Sequence, residues 1–153
     1  MASSSLLTEL RETALTLVTA ELGKQIAVHA WPKSIKQLPS PRGKGLIILR
    51  PQLLKSMEPR DVQQGRLLQQ RRAYIEFRIF VQMLRDSTEA DPILEGLDDA
   101  LSAVAPDFKT PGYSADFPGF WHVESGLVAD DDEKGVWDFG AIYALDLTYR
   151  KRR

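Results

Sequence analysis

From Arg72 to Arg85 the chain alternates between two chemical sets without a break. Ala73, Ile75, Phe77, Ile79, Val81 and Met83 form one set; Tyr74, Glu76, Arg78, Phe80, Gln82 and Leu84 form the other. A period of two puts these sets on opposite faces of a strand. Val136 to Tyr149 repeats the pattern, with Trp137, Phe139, Ala141, Tyr143, Leu145, Leu147 and Tyr149 on one face. Ordinary strands hold about five or six residues, whereas a run like these would reach about 45 Å when extended. A compact domain of this length has a radius of gyration of about 15 Å, hence a diameter of about 38 Å. Strands as long as the molecule predict a sheet that overhangs its own core. That favours a chain that pairs with copies of itself over a compact enzyme.

The remaining elements follow from other periods. Residues 5–22 predict an amphipathic helix, with Leu6, Leu10, Ala14, Leu17 and Val18 on one stripe, Ser5 as cap and Gly23 as stop. Lys24 to Trp31 predicts a strand. Pro32, Pro39 and Pro41 with Gly43 and Gly45 predict a loop, and Leu46 to Arg50 a short strand closed by Pro51. Residues 51–71, rich in Gln and Arg, fit neither a firm helix nor a half-buried strand. They are expected to form a mobile excursion, or a hairpin that extends the strand at Arg72. Asp91 as N-cap and Pro92 at the first helical position open a second helix, striped by Ile93, Leu94, Leu97, Leu101 and Val104 and ended by Pro106. Residues 106–119 have loop composition, and Phe120 to Ala129 a weakly alternating strand. The order α-β-β-β-α-β-β predicts an α+β fold, a mainly antiparallel sheet of four to five strands covered by two helices, in a single domain over 1–153.

Composition narrows the partners. Twenty Lys and Arg against 21 Asp and Glu give a net charge of −1, which speaks against a free nucleic-acid binder. The charge is uneven: Asp130, Asp131, Asp132 and Glu133 form an acidic knot, and Arg150, Lys151, Arg152 and Arg153 a basic tail. With no cysteine, thiolate catalysis, disulfides and cysteine-ligated metals are excluded. No apolar stretch is long enough to span a membrane, and Met1 to Ser5 lacks the basic start of a signal peptide. A protein that folds in the cytoplasm where it is made is expected.

Candidate chemistry is sparse. His29 and His122, the two histidines, sit in no metal-ligand pattern, and His29 is expected to face away from Ile26 and Val28. The acidic knot lacks the spaced oxygen ligands and turn glycine of a calcium loop, so a solvated turn is expected. A metal-dependent nuclease would want a lysine two positions after Glu76, where Arg78 stands. Asp138 and Asp146 share a face but lie too far apart to clamp one ion. Pro41 to Gly45 lacks phosphate-loop spacing. No enzyme, cofactor or metal site is expected. Arg66, Arg71 and Arg72 would contact a partner or keep an exposed excursion soluble, and Tyr74 and Phe80 either pack beneath a helix or anchor an interface.

The succession "LLTELRETALTLVTAEL", "GLIILRP", "RRAYIEFRIFVQML", "ILEGLDDALSAV" and "VWDFGAIYALDLTYR" resembles the tail terminator (tail completion) proteins of tailed bacteriophages, especially those of Mu-like myophages and prophages. The resemblance covers roughly Leu6 to Tyr149 and rests on element order and strand character. It implies a virion structural protein at the tail–neck junction, assembled in the host cytoplasm. It further implies a homo-hexameric ring that caps the completed tail tube, holds the last sheath ring of a contractile tail and meets a neck or connector protein. DNA only passes through the channel, and no membrane is involved. On this reading, Arg66, Gln69, Arg71, Arg72, Tyr74, Arg78, Arg150 and Arg152 are the expected subunit or tube contacts. A segment such as 51–71 would order on docking. Another head–tail connector or tube component is the neighbouring alternative, a small nuclease or a free-standing peptide-binding module the more distant ones.

Overall fold

The computed structural model describes residues 6–30, 46–56, 68–82, 91–102, 107–131 and 136–150. Helix α1 (Leu6–Leu22) buries Leu6, Leu10, Ala14, Val18 and Leu22, a four-residue spacing that keeps one face against the core. It ends where Gly23 N–H donates to Thr19 O at 2.8 Å, and the amides of Gln25 and Ile26 then both donate to Leu22 O. That tight exit uses residues expected to open the next strand, so β1 (Ala27–Ala30) starts at Ala27 rather than Lys24, and Trp31, its expected end, lies outside the described residues. Helix α2 (Asp91–Ser102) buries Ile93, Leu97, Ala100 and Leu101. Residues 103–106, where the helix was expected to end at Pro106, lie outside the described residues.

The longer strands are β2 (Leu46–Ser56), β3 (Leu68–Gln82), β4 (Tyr113–Asp131) and β5 (Val136–Arg150). They form with β1 a five-stranded sheet ordered β1-β2-β3-β5-β4. β1 runs parallel to β2, and every other neighbouring pair is antiparallel. The fold is therefore α+β, with the mainly antiparallel sheet and element order that the sequence predicts.

Two boundaries need correction. β2 does not close at Pro51: it continues to Ser56, and β3 begins at Leu68, so both ends of 51–71 are antiparallel strand, in line with the expected hairpin extending the strand at Arg72. A register shift between Pro51 and Leu54 absorbs the proline, because a bulge tolerates a residue without an N–H donor. Residues 57–67 lie outside the described residues. Likewise β4 begins at Tyr113, not Phe120. Its shift between Ala115 and Phe120 takes up Pro118 and Gly119, the latter at a φ of 91° that favours glycine.

One face of the sheet is the core. β3 and β5 pair Ala73 with Leu145, Ile75 with Tyr143, Phe77 with Ala141 and Ile79 with Phe139, and all eight are buried. Phe77 and Tyr143 meet edge to face with centroids 5.9 Å apart. The buried stripes of α1 and α2 join this cluster, so both helices cover the same face. They touch where α2 carries Gly96: a Cβ there would stand 2.5 Å from Leu22 Cδ2. Glu9 ties α1 to the approach to β4, its carboxylate accepting from Lys109 N–H at 2.5 Å, Thr110 N–H at 2.7 Å and the Thr110 hydroxyl.

Candidate assembly surface

The face of the sheet away from α1 and α2 is polar, and its charges are organised across strands. Antiparallel register sets Arg72 opposite Asp146, and Arg72 Nε donates to Asp146 Oδ1 at 2.7 Å. Arg72 also lies over the Trp121 ring, 4.9 Å from its centroid, so the guanidinium bridges β3, β5 and β4. Further along, Arg78 grips Asp138 through both guanidinium arms, Nε donating to Oδ1 at 3.1 Å and Nη2 to Oδ2. The hydrogen bonds to Asp146 and to Asp138, respectively, hold the pKa values of Arg72 and Arg78 above the ordinary arginine range. Glu76 stands 3.8 Å from Arg78, so two carboxylates flank a cation that is part of the chain itself. Tyr74 is half-buried on this face.

The expected contact residues are thus dispersed rather than gathered. Arg72, Tyr74 and Arg78 share the polar face. Arg71 points to the opposite side, 4.3 Å from the Tyr149 ring centroid and 5.7 Å from that of Tyr113, and donates to the Tyr113 hydroxyl. Gln69 pairs with Tyr149 in the β3–β5 ladder. Arg150 is exposed and its amide donates to Gly112 O at 2.7 Å, closing the end of the sheet. Arg66 and Arg152 lie outside the described residues, as do Asp132 and Glu133 of the acidic knot. Asp138 and Asp146 are engaged separately, each by its own arginine.

β4 is the long rim of the sheet. Among the described residues this nineteen-residue strand has β5 as its one neighbour, with register shifts at Ala115/Phe120, His122/Glu124 and Leu127/Ala129. Leu127 is the register partner of buried Phe139, yet it is 48% exposed.

Between α2 and the β4–β5 ribbon lies a cleft of about 500 Å³ that sequence reasoning missed. Leu97, Ala141 and Tyr143 form its floor. Glu95, Asp98 and Asp99 rise on one wall, His122 and Ser125 on the other. The Tyr143 hydroxyl donates to Asp98 Oδ1 at 2.9 Å; burial and that bond push the phenol pKa well up, so Tyr143 stays neutral. His122 Nε2 lies 3.1 Å from Ser125 Oγ, and its ring edge meets Tyr143. Among the described residues no carboxylate hydrogen-bonds that imidazole. Nor, among the described residues, does any group of three or more His, Cys, Asp or Glu converge as a metal site. No described helix is long and apolar enough to cross a membrane. The one sequence signal for the cleft was the acidic helical run Glu95, Asp98, Asp99 facing a strand that carries His122.

No protein-family model matches this sequence, and no curated protein does. The fold is similar to that of a chain in the virion of the native gene transfer agent (GTA) particle. That likeness has a TM-score of 0.63 at 12% identity and covers 95% of this chain and 99% of that one. The bacteriophage SPP1 gp17 protein aligns over 98% of both chains at 14% identity, with a TM-score of 0.44.

Proposed function

We propose that this chain is a structural subunit of a phage tail or phage-like particle. Within that class it acts as a tail terminator, a homo-hexameric ring that caps the completed tube at the tail–neck junction. The observation that carries this reading is the fold likeness to a virion chain over nearly the full length of both molecules. The element order that resembles tail terminators and the strand architecture support it. A ring needs head-to-tail contacts whose rotation closes. A sheet whose nineteen-residue rim is paired, among the described residues, on one side offers backbone donors and acceptors for such a contact. Partners on this reading are further copies of the chain, the tube protein, the terminal sheath ring and a neck protein. The charges Arg72, Arg78, Asp138 and Asp146 then brace the sheet instead of performing chemistry.

The test is to mix the purified chain with isolated tail tubes and examine the tubes by electron microscopy and native mass measurement. A six-fold ring confined to one tube end is the expected result. Labelling along the tube would assign a tube component instead, and a chain that ignores tubes would overturn the proposal.

A further inference from the structure

We propose that the acidic cleft beside α2 receives the basic run Arg150–Arg153 of a second copy of this chain. The inference rests on the assembly reading in one respect, that copies meet, and names the contact through which they do so.

Charge complementarity points to the occupant. Glu95, Asp98 and Asp99 present three carboxylates on little more than one helical turn, all exposed. Among the described residues none of the three is ion-paired with a basic side chain. Crowded like charges on one helix face repel one another, so a cationic partner relieves a cost already present in the free subunit. The sequence offers one uninterrupted block of positive charge, Arg150, Lys151, Arg152 and Arg153. Below the carboxylates, the cleft floor of Leu97, Ala141 and Tyr143 suits the aliphatic stems of Lys and Arg, which lie along apolar surface while their heads reach anions.

Geometry decides between the chain's own run and a neighbour's. The cleft borders β5 at Ala141 and Tyr143, while Arg150 ends β5 seven residues beyond Tyr143. That is about 23 Å along an extended strand, and the strand points away from the cleft. Residues 151–153 stand within three positions of Arg150, a reach of about 10 Å. The basic run therefore cannot fill the cleft of its own subunit, and a filled cleft belongs to a different copy. Such a contact is head-to-tail, since the donor's cleft stays open for the next subunit.

The chain lacks cysteine, so two introduced thiols report the contact without background. A Ser125→Cys chain and an isotope-labelled Arg153→Cys chain, each keeping all three cleft acids, are mixed and oxidised at low salt. A seated tail gives a mixed disulfide in about ten-fold or greater excess over the two self-linked products, falling to random proportions in 1 M salt. Glu95→Lys with Asp99→Lys, at two exposed positions, removes the excess. Adding Lys151→Glu and Arg152→Glu to the partner restores it. Random coupling that ignores salt and the charge exchange overturns the proposal. A preferred mixed disulfide in a chain that never binds tubes keeps the cleft contact and removes the terminator reading. Rings on tubes with random coupling do the reverse.

Discussion

Replacing Glu9 with glutamine should loosen the tie between α1 and the start of β4 and make that loss depend on pH. The carboxylate accepts three hydrogen bonds, from Lys109 N–H and from the amide and hydroxyl of Thr110. Glutamine keeps one oxygen for Thr110 but turns an NH2 toward the Lys109 amide, so two donors face each other. Hydrogen bonds to a charged acceptor contribute about 1.5–3 kcal/mol each. Glu9 is only half-buried, so losing one and weakening two should cost about 2 kcal/mol. In a domain of this size each kcal/mol moves Tm by about 2–4 °C, which predicts a drop of about 4–8 °C at pH 7. Burial raises the Glu9 pKa, but the bonds from Lys109 and Thr110 outweigh it and hold the folded value below 4.5. A carboxyl depressed by folding contributes its full stability above its unfolded pKa and loses it as pH falls through the folded one. The gap between wild type and Glu9→Gln should therefore close in acid. Urea unfolding at pH 7 and pH 3 measures it. A gap equally wide at both values, or absent at pH 7, would refute the reasoning.

Three further outcomes follow from packing, backbone and register. Leu97→Ala empties a fully buried site on α2 and should cost about 3 kcal/mol in urea unfolding, whereas Leu127→Ala, half-exposed on the ribbon, should stay within about 0.5 kcal/mol. Gly112→Ala combines a φ of 87° with a Cβ only 2.7 Å from Arg150 O, and should lose about 1–3 kcal/mol by the same measurement. A double-mutant cycle on Arg78 and Asp138 should give a coupling of about 1 kcal/mol. It should exceed that of Arg72 and Asp146, whose side chains are more exposed. Equal couplings would mean that solvent screening does not set their strength.

The parts of the fold legible in the sequence were those whose signal is local. β3 and β5 could be read because alternation marks a half-buried strand wherever it runs, and the set Ala73, Ile75, Phe77 and Ile79 is the buried one. α1 could be read because its stripe repeats every four residues. The opening of β4 was illegible because Gly112, Pro118 and Gly119 carry loop composition, and only the neighbouring strand turns that stretch into a bulged rim. Pro51 misled in the same way. The charged features depend on register between distant segments. Arg72 meets Asp146 across 74 positions, and Glu9 meets Thr110 across 101, which no window along the chain can anticipate. The cleft escaped notice for the same reason, since its two walls come from α2 and β4.

The three offsets in β4 act like the notches of a key. A flat rim of nineteen residues would accept almost any extended peptide and would invite endless stacking into fibrils. Interruptions at three places disfavour pairing with a plain ribbon relative to a mate whose own irregularities fall at matching intervals. On the assembly role proposed above, such a border would keep the subunits selective for one another, with no described segment covering it.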